Sequence, residues 1–183
     1  HAGTLDPLAE GLLIVCTGKM TKRIIEFQNL NKTYTGKFYL GASTPSFDLE
    51  TEISEKKSID HLNDDIIQQA ATEFKGKILQ TPPIYSAIKH KGKKLYEFAR
   101  KGEAVTIKSR EVFIHEFLIS KINLPEINFK ISCSKGTYIR SLANDYGTKL
   151  NCGAHLKELK RTAIGDYKLE KSISIEDFEK KLK

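Results

Sequence analysis

The sequence predicts an α+β fold: one mixed, mostly antiparallel sheet flanked by helices, with a basic loop inserted into it. Three observations carry that expectation. Residues 33–40 and 127–133 alternate positions with the period of two that a half-buried strand shows, and residues 111–121 also read as a strand. Residues 59–74 and 136–150 instead carry apolar stripes at helical spacing. These segments do not follow one another as regular strand–helix–strand units, which argues against a doubly wound parallel sheet. A chain of 183 residues, 39% hydrophobic and 29% charged, suffices for one core.

In order along the chain, residues 12–16 (Leu12-Leu13-Ile14-Val15-Cys16) read as a buried strand ended by Thr17-Gly18. Thr21 is placed to cap a short helix that turns Ile24, Ile25 and Phe27 inward. In residues 33–40, Tyr34, Gly36, Phe38 and Leu40 share one face; residues 41–48 form a loop. The helix at 59–74 sets Leu62, Ile66, Ile67, Ala70 and Phe74 on one stripe. Residues 76–102 form a basic insertion punctuated by Pro and Gly, and 111–121 and 127–133 are strands. A helix opened by Gly136-Thr137 buries Ile139, Leu142, Ala143, Tyr146 and Leu150. Residues 155–160 read as a short helix or turn, and Ser174 caps a last helix bearing Ile175, Phe178 and Leu182.

The formal net charge of +7 favours a polyanionic partner through counterion release. It is concentrated at residues 89–110, where Lys89, Lys91, Lys93, Lys94, Arg100, Lys101, Lys108 and Arg110 face only Glu97 and Glu103. The three cysteines, Cys16, Cys133 and Cys152, show no CxxC spacing, which argues against a zinc site or a disulfide framework and fits a reducing cytoplasm. No apolar run approaches membrane-spanning length. Gly18-Lys19-Met20-Thr21 fails the phosphate-loop pattern, because Met20 interrupts the Lys-Ser/Thr pair.

The chain opens with His1-Ala2-Gly3-Thr4-Leu5-Asp6-Pro7, a turn that presents one carboxylate. A carboxylate attacks or stabilises an anomeric carbon only when ionised, a state that a nearby cation favours. Gly136-Thr137-Tyr138-Ile139-Arg140 supplies a planar guanidinium fork suited to such a carboxylate and a ring suited to stacking on a base. Taken singly, an Asp-Pro turn, a surface Arg and a core Tyr are the commoner fates of these residues. Together, in this order, they closely resemble the motifs of the TruB family, whose members convert a T-loop uridine of tRNA to pseudouridine.

That resemblance implies Asp6 as nucleophile, Arg140 as its ion-pair partner and Tyr138 against the target uracil. Tyr34, in Lys32-Thr33-Tyr34, matches the tyrosine over the base, a candidate for helping to remove the C5 proton. Leu159, within a third motif at residues 152–165, matches the leucine of the uracil pocket; Lys160 stands where the family often has Arg. His1 is implied to occupy the stack vacated by the flipped base. Residues 81–89 and 93–102 resemble the family's RNA-gripping thumb, with Tyr85, Lys89, Lys93, Lys94, Tyr96 and Arg100 in cation–aromatic alternation. His155 lacks partners at ligand spacing and reads as structural or RNA-facing.

The implied organisation is a catalytic domain over 1–165, with the thumb at about 76–110, followed by a helical extension at 166–183 without a full RNA-binding domain. A catalytic motif at the first residue further implies a preceding strand and loop bearing Lys-Pro-x-Gly-x-Thr-Ser. The resemblance implies a tRNA T-arm as partner, no cofactor, no metal, no membrane, and a cytoplasmic monomer. A non-catalytic RNA-binding or tRNA-folding module is the rival reading. A hydrolase is disfavoured, since no second carboxylate stands in a recognised motif.

Overall fold

The computed structural model describes residues 1–90 and 92–182; Lys91, Lys183 and the side chain of Leu182 lie outside the described set, and with them the expectations stated above for Lys91 and Leu182. The elements are β1 (Ala9–Gly11), α1 (Ile24–Asn29), β2 (Lys32–Leu40), β3 (Ala42–Ser43), β4 (Glu55–Lys56), α2 (Asp64–Glu73), β5 (Gly76–Gln80), β6 (Lys89–His90) and β7 (Lys93–Lys94). They continue with α3 (Leu95–Arg100), β8 (Arg110–Asn123), β9 (Glu126–Cys133), α4 (Ile139–Lys149), β10 (Ala154–Ile164), β11 (Tyr167–Lys168) and α5 (Ile175–Leu182). The main sheet runs β1-β10-β2-β9-β8-β5, with β11 also on β10. Only β1 lies parallel to its neighbour; every other ladder is antiparallel. The fold is the expected α+β one.

The alternating residues of β2 and β9 explain the core. Phe38 and Leu40 from β2, and Ile127, Phe129, Ile131 and Cys133 from β9, all turn to one face. There α2 and α4 cover them, with Ile139, Leu142, Ala143, Tyr146 and Leu150 buried as the stripe predicted. Phe38, Phe117, Phe129 and Tyr146 pack with ring centroids 4.3–6.1 Å apart. The Tyr146 hydroxyl donates to the Ile67 carbonyl, tying α4 to α2.

Several expectations need correcting. Residues 12–16 form no strand. The chain pairs with β10 three residues earlier, at β1, and the Leu12 carbonyl is then taken by the Arg161 side chain. Thr21 caps no helix: it lies within a 3-10 turn, Gly18–Arg23, and its hydroxyl bonds the Gly18 carbonyl. Ile25 is exposed, because a six-residue α1 at the sheet margin buries only one narrow side. Helix α2 starts at Asp64, where the Asn63 side chain accepts the Ile66 N–H, so Leu62 packs from the preceding turn and Ile66 faces outward. The segment expected as an insertion at about 76–110 has both ends in the sheet, since β5 pairs with the start of β8; the loop proper lies between Gln80 and Arg110. Within 41–48, β3 pairs with β4.

The largest correction is residues 155–160, which belong to β10 in the middle of the sheet. A β-bulge between Leu156 and Glu158 inserts one extra residue. Leu156 and Leu159, three apart, therefore both turn inward, which mimics helical spacing. His155 is buried, its Nδ1 bonded to the Ala42 carbonyl at 2.8 Å and its ring stacked on Tyr39, so it is structural. At the other end, the Ser174 hydroxyl accepts the Asp177 N–H and caps α5 as expected, while Ile175 and Phe178 stay exposed.

Candidate active site

The site lies on the helix-bearing face of the sheet, where α4 begins. Four elements far apart in sequence converge there. The loop before β1 brings Asp6, the first turn of α4 brings Arg140, and facing positions on β2 and β10 bring Tyr34 and Arg161.

Arg140 is buried and organises the centre. Its Nε and Nη2 donate to the two oxygens of Asp6 at 2.9 and 2.8 Å, the bidentate geometry that best holds a carboxylate in one orientation. Its Nη1 donates to the Ser46 carbonyl at 3.3 Å. Its Nε also lies 3.4 Å from Oδ2 of Asp48, a second carboxylate that is itself buried. The loop around Asp48 is built to aim it. The Thr44 and Ser46 hydroxyls donate to the Asp48 carbonyl, and the Glu50 N–H donates to Oδ1. One guanidinium thus sits between two carboxylates. Asp48 is buried, whereas the Asp6 side chain keeps about 31% of its surface open.

The open side of Asp6 faces a cavity of about 610 Å³. Tyr34, Tyr138 and Leu159 line it, with Arg110 and Arg161 behind, and Tyr85, Tyr96 and Arg100 reach it from the inserted loop. Such a volume, walled by flat rings and rimmed by cations, suits a nucleoside-sized ligand. Burial is the main cause pushing the Tyr34 phenol up to about 12, opposed by the Arg161 cation, so Tyr34 is neutral at physiological pH. Burial likewise pushes the nearby Cys133 thiol up to about 11, which leaves it inert as a nucleophile.

Tyr138 is fixed by residues that no motif pointed to. The buried amide of Gln80 accepts the Tyr138 N–H at 2.8 Å and donates to its carbonyl at 3.1 Å. Arg110 bonds the Gly136 carbonyl and lies over the Tyr138 ring, 4.9 Å from its centroid. The Ser141 hydroxyl bonds the Thr81 carbonyl. The root of the inserted loop and the start of α4 are therefore one hydrogen-bonded unit. Gly11 permits the return of the Asp6 loop: its φ is +108°, and a Cβ there would run into the Arg161 carbonyl.

The structure brings together most residues singled out from sequence. Asp6, Arg140, Tyr34, Tyr138, Leu159, Tyr85, Tyr96 and Arg100 all line one cavity. His1 is exposed and stands apart from that lining, as do Lys89, Lys93 and Lys94. Lys94 and Arg100 flank the Tyr96 ring at 5.5 and 5.3 Å. Asp48, Gln80, Arg110, Lys32 and Arg161 were missed as site residues. Lys32 and Arg161 lie within recognised motifs and Arg110 within the basic run, but the sequence alone assigns them no role there.

Comparison with known proteins places the chain in a family. Residues 1–139 match the model of the TruB family pseudouridylate synthase N-terminal domain, and residues 140–183 match the tRNA pseudouridylate synthase B C-terminal domain. The boundary between the two matches falls at the start of α4, inside the hydrogen-bonded unit just described. The tRNA pseudouridine synthase B of Flavobacterium johnsoniae is 57% identical over 182 residues, covering 100% of this chain and 80% of that protein. That of Phocaeicola vulgatus is 52% identical, covering 97% and 76%. Among solved structures, a Cbf5-Nop10-Gar1 complex superposes with a TM-score of 0.73 at 29% identity. An H/ACA RNP bound to a substrate RNA containing 2′-deoxyuridine superposes at 0.69 and 26%. Each match covers 97% of this chain, which spans less than half of those longer chains (44% and 42%). With family-model matches along its whole length and relatives at this identity, the chain belongs to the TruB family of pseudouridine synthases, which are isomerases.

Proposed function

We propose that this protein isomerises a uridine of the tRNA T-loop, at position 55, to pseudouridine, with Asp6 as the nucleophile. The observation that carries this reading is the state of Asp6: held bidentately by a buried Arg140 on one side and open on the other to a cavity walled by Tyr34, Tyr138 and Leu159. A uridine within a folded loop must leave its stack to enter such a cavity. His1, exposed beside the Asp6 loop in sequence, takes the role of filling the vacated stack.

An Asp6 oxygen then attacks C1′ of the ribose, and the C1′–N1 bond breaks with its electron pair going to the uracil. The base turns in the cavity between Tyr34, Tyr138 and Leu159 until C5 faces C1′. C5 attacks C1′, the Asp6 oxygen leaves, and the C5 proton is lost. Because Tyr34 is a neutral phenol, its oxygen accepts that proton only as its own proton moves on, so it serves as a relay to water rather than as a phenolate base. No redox change or phosphoryl transfer is needed.

The partner is a tRNA T-arm, gripped by the loop that carries Tyr85, Lys89, Lys93, Lys94, Tyr96 and Arg100. That a related complex holds a substrate RNA supports RNA as the ligand. The three free cysteines suit a reducing compartment such as the cytoplasm. Tritium release from a T-arm transcript labelled at uridine C5 tests the reading. Asp6→Asn should lower the rate by about 10,000-fold or more with tRNA affinity retained. Undiminished release in that variant overturns the nucleophile; tight binding with no release by the unmodified protein favours the RNA-binding module.

A further inference from the structure

Arg161 has one of the largest fully buried side chains among the described residues. It forms no ion pair with a carboxylate in that set, whereas Arg140 across the cavity has two. Its Nε donates to the Leu12 carbonyl at 2.7 Å and its Nη2 to the Gly3 carbonyl at 3.1 Å, so it grips both limbs of the loop that presents Asp6. These bonds engage two of its five N–H donors. Its position on β10 pairs directly with Tyr34 on β2, which sets both side chains on the same face and on the wall of the same cavity.

Lys32 adds a second cation on that wall. It is buried, its Nζ donating to the Gln28 and Leu30 carbonyls at the end of α1, and it too lacks a carboxylate partner among the described residues. The cavity is thus electrically divided. Around Arg140, two carboxylates outweigh one cation. Around Tyr34 stand two buried cations; of the nearby anions, Asp6 is already held by Arg140, and Glu50, which also lines the cavity, is exposed.

A buried charge is normally paired, because leaving it uncompensated costs several kcal/mol. An enzyme keeps such a charge where the reaction itself creates the opposite one. We propose that Arg161, supported by Lys32, is the counter-charge for the uracil anion released when the C1′–N1 bond breaks. The electron pair of that bond spreads over N1, O2 and O4 of the detached ring, and Arg161 lines the wall beside Tyr34 where that ring must sit. Holding the Asp6 loop and stabilising the leaving base are two roles of one guanidinium. The inference rests on the proposed nucleophilic route through this cavity.

The test compares leaving groups. T-arm RNAs carrying either uridine or 5-fluorouridine at the target are consumed in single turnovers, and loss of the N-glycoside is followed by nuclease digestion and mass spectrometry. Fluorine stabilises the pyrimidine anion on its own, so cleavage depends less on an external cation. Arg161→Gln should slow uridine about 100-fold or more and fluorouridine markedly less. Arg161→Lys, which keeps a charge but loses the fork, should show the same bias to a smaller degree. If melting shows that the Gln variant does not fold, the Lys variant carries the comparison. Equal slowing of both substrates overturns the proposal and leaves Arg161 as a latch for the loop. Asp6→Asn in the same assay separates the two readings: its activity on either substrate defeats the nucleophile, while the uridine-to-fluorouridine ratio of the Arg161 variants reports on the leaving base.

Discussion

The floor of the cavity and the loop that hangs over it are built on opposite principles. At the floor, Arg140, Asp48 and Gln80 are buried, and each side chain is aimed by hydrogen bonds or an ion pair. In the inserted loop, Lys89, Lys93 and Lys94 lie in or beside a two-residue hairpin, with charges that are mostly exposed and ring contacts that are cation–π rather than ionic. A preorganised floor fixes the geometry of a reaction before substrate arrives. A solvated, basic and aromatic arm can instead adapt to a phosphate backbone whose shape it does not set. Under the proposed function, chemistry and grip should therefore be separable here.

The floor should be the harder part to perturb without loss. Replacing Arg140 with Met leaves Asp48 as a buried charge without its cation and frees Asp6 to rotate. The expected cost is about 3–5 kcal/mol of stability, read by denaturant unfolding, together with near-complete loss of turnover. A variant that kept wild-type stability would show that the two carboxylates do not depend on this guanidinium. Asp48→Asn preserves the shape of the site but removes one of the two charges on Arg140. It should lower the single-turnover rate by about 10- to 100-fold while tRNA affinity stays unchanged.

The arm should respond in the opposite sense. Lys93→Glu with Lys94→Glu should weaken tRNA binding by about 10-fold or more. The slope of log K against log salt should also flatten, by just under one unit for each phosphate that these lysines no longer neutralise. Stability should stay within about 0.5 kcal/mol, and the rate at saturating tRNA should hold. If turnover at saturation collapsed instead, grip and chemistry would not be separable. The smallest effect concerns Tyr34. Its phenol is raised from 10 to about 12, so the folded state holds this proton more tightly than the unfolded state does. The associated stability is fully present below pH 10 and is lost as pH rises towards 12. Tyr34→Phe should therefore soften the alkaline loss of stability by about 1 kcal/mol at pH 11, and the wild-type rate profile should show no Tyr34 ionisation between pH 6 and 9.

Legibility in the sequence followed the range of the forces involved. β2, β9 and α4 were readable because each buries one face of a regular element, so local period and tertiary burial agree. β10 was not: its bulge shifts the alternation, and its strand state depends on pairing with β1 and β2, far away in the chain. Residues 12–16 failed for the complementary reason, since an apolar run becomes a strand only where a partner edge meets it.

For the site the same division holds. Asp6, Tyr34, Tyr138, Arg140 and Leu159 were legible because they sit in compact, ordered motifs. Asp48 was not, because an acid in a polar loop looks solvated until folding brings Arg140 within 3.4 Å of it. Gln80 and Arg161 were hidden likewise, since the groups they hold lie 58 and about 150 residues away. By itself the sequence determined the class of fold, the family and most of the residues that line the candidate cavity, all encoded by residue type and short spacing. Only the tertiary structure decided which carboxylates share a guanidinium and which buried cations go unpaired, because charge balance depends on distances that no local pattern contains.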